Sequence, residues 1–175
     1  MTSRPAGSEY APSFAGYVAL VTESDALPVL ERQSGEMARL LQVVTPDREK
    51  YRYAEGKWTI REVFGHLIDG ERVFSYRALC ISRGETVSLP GFDENVYVAE
   101  SPYLERPLAD LVVEFSSLRR ANTAFFRGLK EGDWERRGTA NDSPASVRAL
   151  AFIMAGHVRH HFNVLRDRYG VAPGA

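Results

Sequence analysis

The stretch Trp58-Thr59-Ile60-Arg61-Glu62-Val63-Phe64-Gly65-His66-Leu67-Ile68-Asp69 decides how this chain reads. Thr59 and Glu62 have the spacing of a capping box, in which each side chain accepts from the other's backbone N–H. Ile60, Val63, Phe64, Leu67, Phe74, Ala78 and Ile81 follow on one stripe. The cap therefore opens an amphipathic helix that ends near Arg83-Gly84.

Three further segments carry the same period. One covers about 25–44, with Pro28 in its first turn and Leu30, Met37, Leu41 and Val44 on one face. Another covers about 107–128, where polar Asn122 falls on a stripe of Leu108, Leu111, Phe115, Leu118 and Phe125. The last runs to about Tyr169 and is capped by Ser143 or Ser146. Residues 17–21 read as a short extended piece or a lead-in coil, and 138–145 as a loop. The expected fold is all-α, a four-helix bundle with a long connection (84–106) between helices 2 and 3. Loops of that length often border functional sites. One domain spanning 17–170 is expected, between a flexible N-terminal tail (1–16) and a C-terminal tail (171–175).

Composition narrows the function classes. There are 22 Lys+Arg against 23 Asp+Glu, a net charge of −1, and no basic stripe, so nucleic acid is not an expected partner. The longest clean apolar run, Ala149 to Gly156, is far short of the roughly 20 residues needed to cross a bilayer. The single cysteine, Cys80, forms no internal disulfide, and a reducing cytoplasm is the expected setting.

The chain has 4 histidines, and His157, His160 and His161 crowd the last helix. At about 100° per residue, His157 and His161 fall in the middle of the face carrying Val147, Leu150, Met154 and Leu165. Arg148, Arg159 and Arg166 lie opposite and mark the outward side. Two stacked core-facing imidazoles must be hydrogen-bonded or coordinated, and an i, i+4 pair can chelate one divalent ion. Val158 follows His157 where a zincin has Glu, so that class of protease is not indicated. His66 on the second helix is an available third ligand, and Gly70 beside it leaves room for a neighbouring group. Three histidines leave coordination positions open, which favours catalysis or ligand capture over a closed structural site.

At these residues the chain resembles DinB-like proteins. Trp58-Thr59-Ile60-Arg61-Glu62 with His66-Leu67-Ile68-Asp69, and Gly156-His157 with His161, are similar to the two halves of their signature. The likeness spans about 17–170 and includes Pro90-Gly91-Phe92-Asp93. It implies a four-helix bundle with an unusual connection order and a divalent metal, zinc or nickel, on His66, His157 and His161. It also implies a small-molecule substrate, a homodimer in many members, and stress-response roles. Members include thiol S-transferases and proteins described as metal-dependent hydrolases. The leading expectation is therefore metal-dependent transfer of a low-molecular-weight thiol to a small electrophile. Amide or ester hydrolysis and non-catalytic metal or small-molecule binding are the alternatives. After His161 the chain reads Phe162-Asn163-Val164 where many members have Gly-Gln-Ile, so the resemblance fixes no subfamily.

Other candidates carry two readings each. Asp69, one turn past His66, orients a ligand or is a solvated helix carboxylate. Arg77 binds an anionic cosubstrate or snorkels to solvent. Asp93 and Asn95 close over the site or form a turn. Arg119 and Asn122 line the pocket or make a buried structural hydrogen bond. His160 points away from the shared ion, and Trp58, Phe64 and Phe74 read as core.

Overall fold

The computed structural model describes residues 3–172; positions 1–2 and 173–175 of the expected tails lie outside the described residues. The helices are α1 (Ala15–Leu20), α2 (Leu27–Val43), α3 (Ile60–Ser82), α4 (Glu94–Ala99), α5 (Leu108–Arg127) and α6 (Val147–Tyr169). The four long ones fall within two residues of their expected ends. The capping box forms: Thr59 N–H donates to Glu62 Oε2 at 2.6 Å, and Glu62 N–H donates to Thr59 Oγ1 at 3.3 Å. Ser146 caps α6 by accepting from Ala149 N–H at 3.1 Å, and Gly170 closes it in the left-handed conformation, φ +63.

In the bundle α3 packs on α6 and α5, and α2 packs on α5 and α6, so the four helices close a ring. Its core is two apolar clusters. One holds Val29 and Leu30 of α2, Phe74 to Ile81 of α3, Phe126 of α5 and Val147 to Ala155 of α6. The other holds Met37 and Leu40, Ile60 to Ile68, Leu108 to Phe115, and Val158 and Leu165. Each helix carries a buried polar residue between its two apolar stretches: Gln33, Glu71, Arg119 and His157.

The first three form one network. Arg119 donates from Nε and Nη2 to the two oxygens of Glu71, each at 2.8 Å, and from Nη1 to Gln33 Oε1 at 2.5 Å. Gln33 Nε2 donates to Ala155 O at 2.7 Å, and Asn122 Nδ2 to Glu71 Oε1 at 2.9 Å. All four helices are thus tied at one level, and the buried charges are paired.

Several expectations are corrected. Residues 3–16 are not a free tail: Arg4 donates to Val21 O and Val18 O at 2.6 and 2.9 Å. Glu9, 1 % exposed, accepts from Arg148 Nη2 at 2.6 Å and from the Ser146 hydroxyl at 2.7 Å. The Arg148 guanidinium holds the Glu9 carboxyl down at about 2. Second, residues 17–21 include most of helix α1, which packs on α6. Arg148 and Arg159, read as facing solvent, instead hold this N-terminal arm; Arg159 donates to Leu20 O at 2.9 Å and pairs with Glu23. Third, 138–145 is not a plain loop but most of a hairpin, β1 (Arg137–Ala140) against β2 (Ser143–Ser146). Asn141 and Asp142, φ +50 and +54, make its two-residue turn. Fourth, the long connection contains α4. At the other end Val171 is buried, so the packed chain extends one residue into the expected C-terminal tail.

Replacing Arg119 by Met strands the Glu71 carboxylate. The cost is about 3–5 kcal/mol, read as a lower urea midpoint, and the double variant Arg119→Met/Glu71→Leu should recover most of it.

Candidate metal centre

α3 supplies His66, and α6 supplies His157 and His161 one turn apart. Two glycines set how closely their surroundings approach. A Cβ on Gly70 would stand 2.7 Å from His157 Cε1, so the imidazole occupies the space a side chain would take. A Cβ on Gly156 would stand 2.0 Å from Tyr17 O, so α1 crosses directly over α6 there. His66 Nε2 and His157 Nε2 are 2.8 Å apart, and one ligand atom from each of the three rings lies within 4.8 Å of the others. The rings are buried, at 6 %, 4 % and 8 % exposure for His66, His157 and His161.

Burial dominates the electrostatics. It lowers the His66 pKa to about 4, helped by the neighbouring His160. Burial, then the charge of His161 and His66, keeps His157 well below the ordinary value, and burial with His66 does the same for His161. All three rings are neutral at pH 7, which is the ligating form. Between His66 and His157 one Nε2–H can donate to the other nitrogen. His161 Nδ1 is buried with no hydrogen-bond partner among the described residues. An orphaned ring nitrogen is costly unless something else engages it. Three neutral imidazoles, each with a nitrogen within 4.8 Å of the others, fit a divalent ion with positions left for a guest.

The triad forms one wall of a cavity of about 370 Å³. Trp58 lies against His66 with ring centroids 4.7 Å apart, and Phe74 against His157 at 5.7 Å. Both line the cavity, which corrects their reading as core alone; Phe64, 1 % exposed, is core as expected. Arg77 is buried rather than snorkelling, and it also lines the cavity. His160 is not one of the three convergent rings but faces the cavity, 5.2 Å from the Tyr17 ring.

The remaining candidates lie elsewhere. Asp69 accepts from the Tyr103 hydroxyl at 2.6 Å and does not line the cavity; burial raises its pKa. Asp93 caps α4, accepting from Asn95 and Val96 N–H, which is its turn-forming reading. Asn95 lines a separate cavity beside His160 and His161. Arg119 and Asn122 belong to the buried network and not to the cavity wall. The sequence reading missed Tyr17, Phe92, Glu94 and Asn141. They come from the N-terminal arm, the long connection and the hairpin turn, none of which has a helical period to place it.

The depressed pKa values set a pH dependence. Between about 4 and the ordinary 6.5 the unfolded chain binds protons on His66 that the folded chain does not, and His157 and His161 shift the same way. Stability of chelator-treated protein should therefore be full above pH 7. It should fall as pH drops through this window, by up to about 1.4 kcal/mol per pH unit for each ring. Urea midpoints at pH 7.5 and 5.0 measure it, and His157→Asn should flatten the slope.

YfiT from Bacillus subtilis, described as a probable metal-dependent hydrolase with an unusual four-helix bundle topology, has a solved structure that superposes with a TM-score of 0.75. The match covers 98 % of this chain and 95 % of that one at 19 % identity, a likeness of fold. No curated protein matches the sequence. The DinB superfamily model matches residues 30–165, which takes in His66, His157 and His161 and most of every long helix, and this chain belongs to that superfamily.

Proposed function

We propose that this protein is a metal-dependent enzyme that transfers a low-molecular-weight thiol to a small electrophile, with zinc or nickel held by His66, His157 and His161. The observation that carries the reading is the company the triad keeps. Among the described residues the cavity wall holds no Ser, Thr, Cys or Lys, and Cys80 lies elsewhere, which supports a nucleophile brought in by a guest. On this reading the nucleophile is the thiol of the guest. A bound divalent ion supplies positive charge next to the guest's donor atom and favours its deprotonated form.

The chain's residues do the rest. Trp58, Phe74, Tyr17 and Phe92 give the cavity apolar walls that exclude water and hold an organic electrophile. His160, kept neutral by its burial, accepts the thiol proton. A second reading, amide or ester hydrolysis, is favoured by Glu94, whose carboxylate on the same wall can serve as base toward water, and by the description given to YfiT.

Purified protein should carry one divalent ion per chain, and His157→Ala should lose it while keeping its helical circular dichroism. Millimolar thiol added to cobalt-substituted protein should raise a sulfur-to-metal charge-transfer band. A loaded protein that shows no such band, yet cleaves esters in a chelator-sensitive way, would replace the transferase reading with the hydrolase. Absence of metal from both native and reconstituted protein would end both.

A further inference from the structure

Two arginines are buried in this bundle, and only one has a partner of opposite charge. Arg119 is bidentate with Glu71. Arg77, 4 % exposed, donates from Nη2 to Pro90 O at 2.7 Å, and among the described residues no carboxylate pairs with it. Its guanidinium lies between two rings, 6.0 Å from the Phe74 centroid and 5.9 Å from that of Phe92. Arg77 also lines the cavity that the triad shares. Glu94, the other charged residue on the wall, is exposed and makes no ion pair with Arg77. A buried guanidinium without a counter-charge is expensive, and a planar fork held by aromatic faces matches a carboxylate in two-point contact.

We infer that Arg77 is a carboxylate-binding residue of the cavity, and that the natural guest is an elongated molecule with a carboxylate at one end and its metal-directed atom at the other. The second half rests on the metal reading above. Phe74 bridges the two ends, since its ring also packs on His157 at 5.7 Å. Along α3, Gly70 beside His157 and Arg77 are seven residues apart, about 10 Å of rise. A two-carbon acid is too short to engage both ends, whereas a six-carbon chain approaches the span.

The test has a metal-free and a metal-loaded arm. In chelator-treated protein, hexanoate and hexanamide are titrated while the NMR signal of the Trp58 indole N–H is followed. Hexanoate should bind about tenfold or more tightly than the amide. Arg77→Met should abolish that preference, and Arg77→Lys should keep part of it. Equal binding of acid and amide to the unaltered protein, which requires no variant to fold, overturns the proposal, as does a preference that survives in Arg77→Met. In cobalt-loaded protein, 6-mercaptohexanoate should bind more tightly than mercaptoacetate, and the reverse order overturns the two-ended guest. If no metal binds but the acid preference holds, the metal reading fails while the assignment of Arg77 stands.

Discussion

A polar layer cuts the hydrophobic core of this bundle in two, and the rest of the molecule is arranged around what that layer contains. Gln33, Glu71, Arg119 and His157 are buried at the junction of the two apolar clusters, one from each long helix. Polar groups taken out of water must be satisfied. Where α2, α5 and α3 meet they are: the Arg119 fork, the two carboxylate oxygens of Glu71 and the Gln33 amide close a network that ends on the backbone of α6. Around His157, where α6 faces His66 of α3, they are not. Three imidazoles share one hydrogen bond, between His66 and His157, and His161 Nδ1 has no hydrogen-bond partner among the described residues.

That asymmetry links stability to function. The satisfied half is self-contained and sets where α6 sits, because Gln33 reaches Ala155 O, two residues before His157. The unsatisfied half opens on a cavity. Arg77 repeats the pattern on a smaller scale: Arg119, just as buried, is neutralised by Glu71, while Arg77 faces the same cavity with only a carbonyl to meet it. Unmet bonding capacity in a packed interior is concentrated at one place, where a guest can meet it.

The N-terminal arm completes that place. Glu9 is anchored by Arg148 and Ser146, Arg4 holds the carbonyls at the end of α1, and Tyr17 passes so close to α6 that only glycine fits at position 156. The arm therefore brings the Tyr17 ring within 5.3 Å of His157 and 5.2 Å of His160. A segment with almost no sequence signal of its own becomes a wall of the cavity because its partners lie on α6, more than a hundred residues away.

The four long helices, their caps and the face that buries the histidines are legible along the chain, because they follow from period, capping chemistry and the cost of burying polar rings, all local. Gly70 likewise announced a close approach before its partner was known. That His157 is that partner, that Arg119 and Asn122 brace the bundle rather than line the cavity, and that Asp69 bonds to Tyr103 while Arg77 meets no counter-charge among the described residues, comes from the packing of the helices on one another. Each of these turns on which distant side chain lies within about 3 Å, and a hydrogen bond between helices leaves no period in either one.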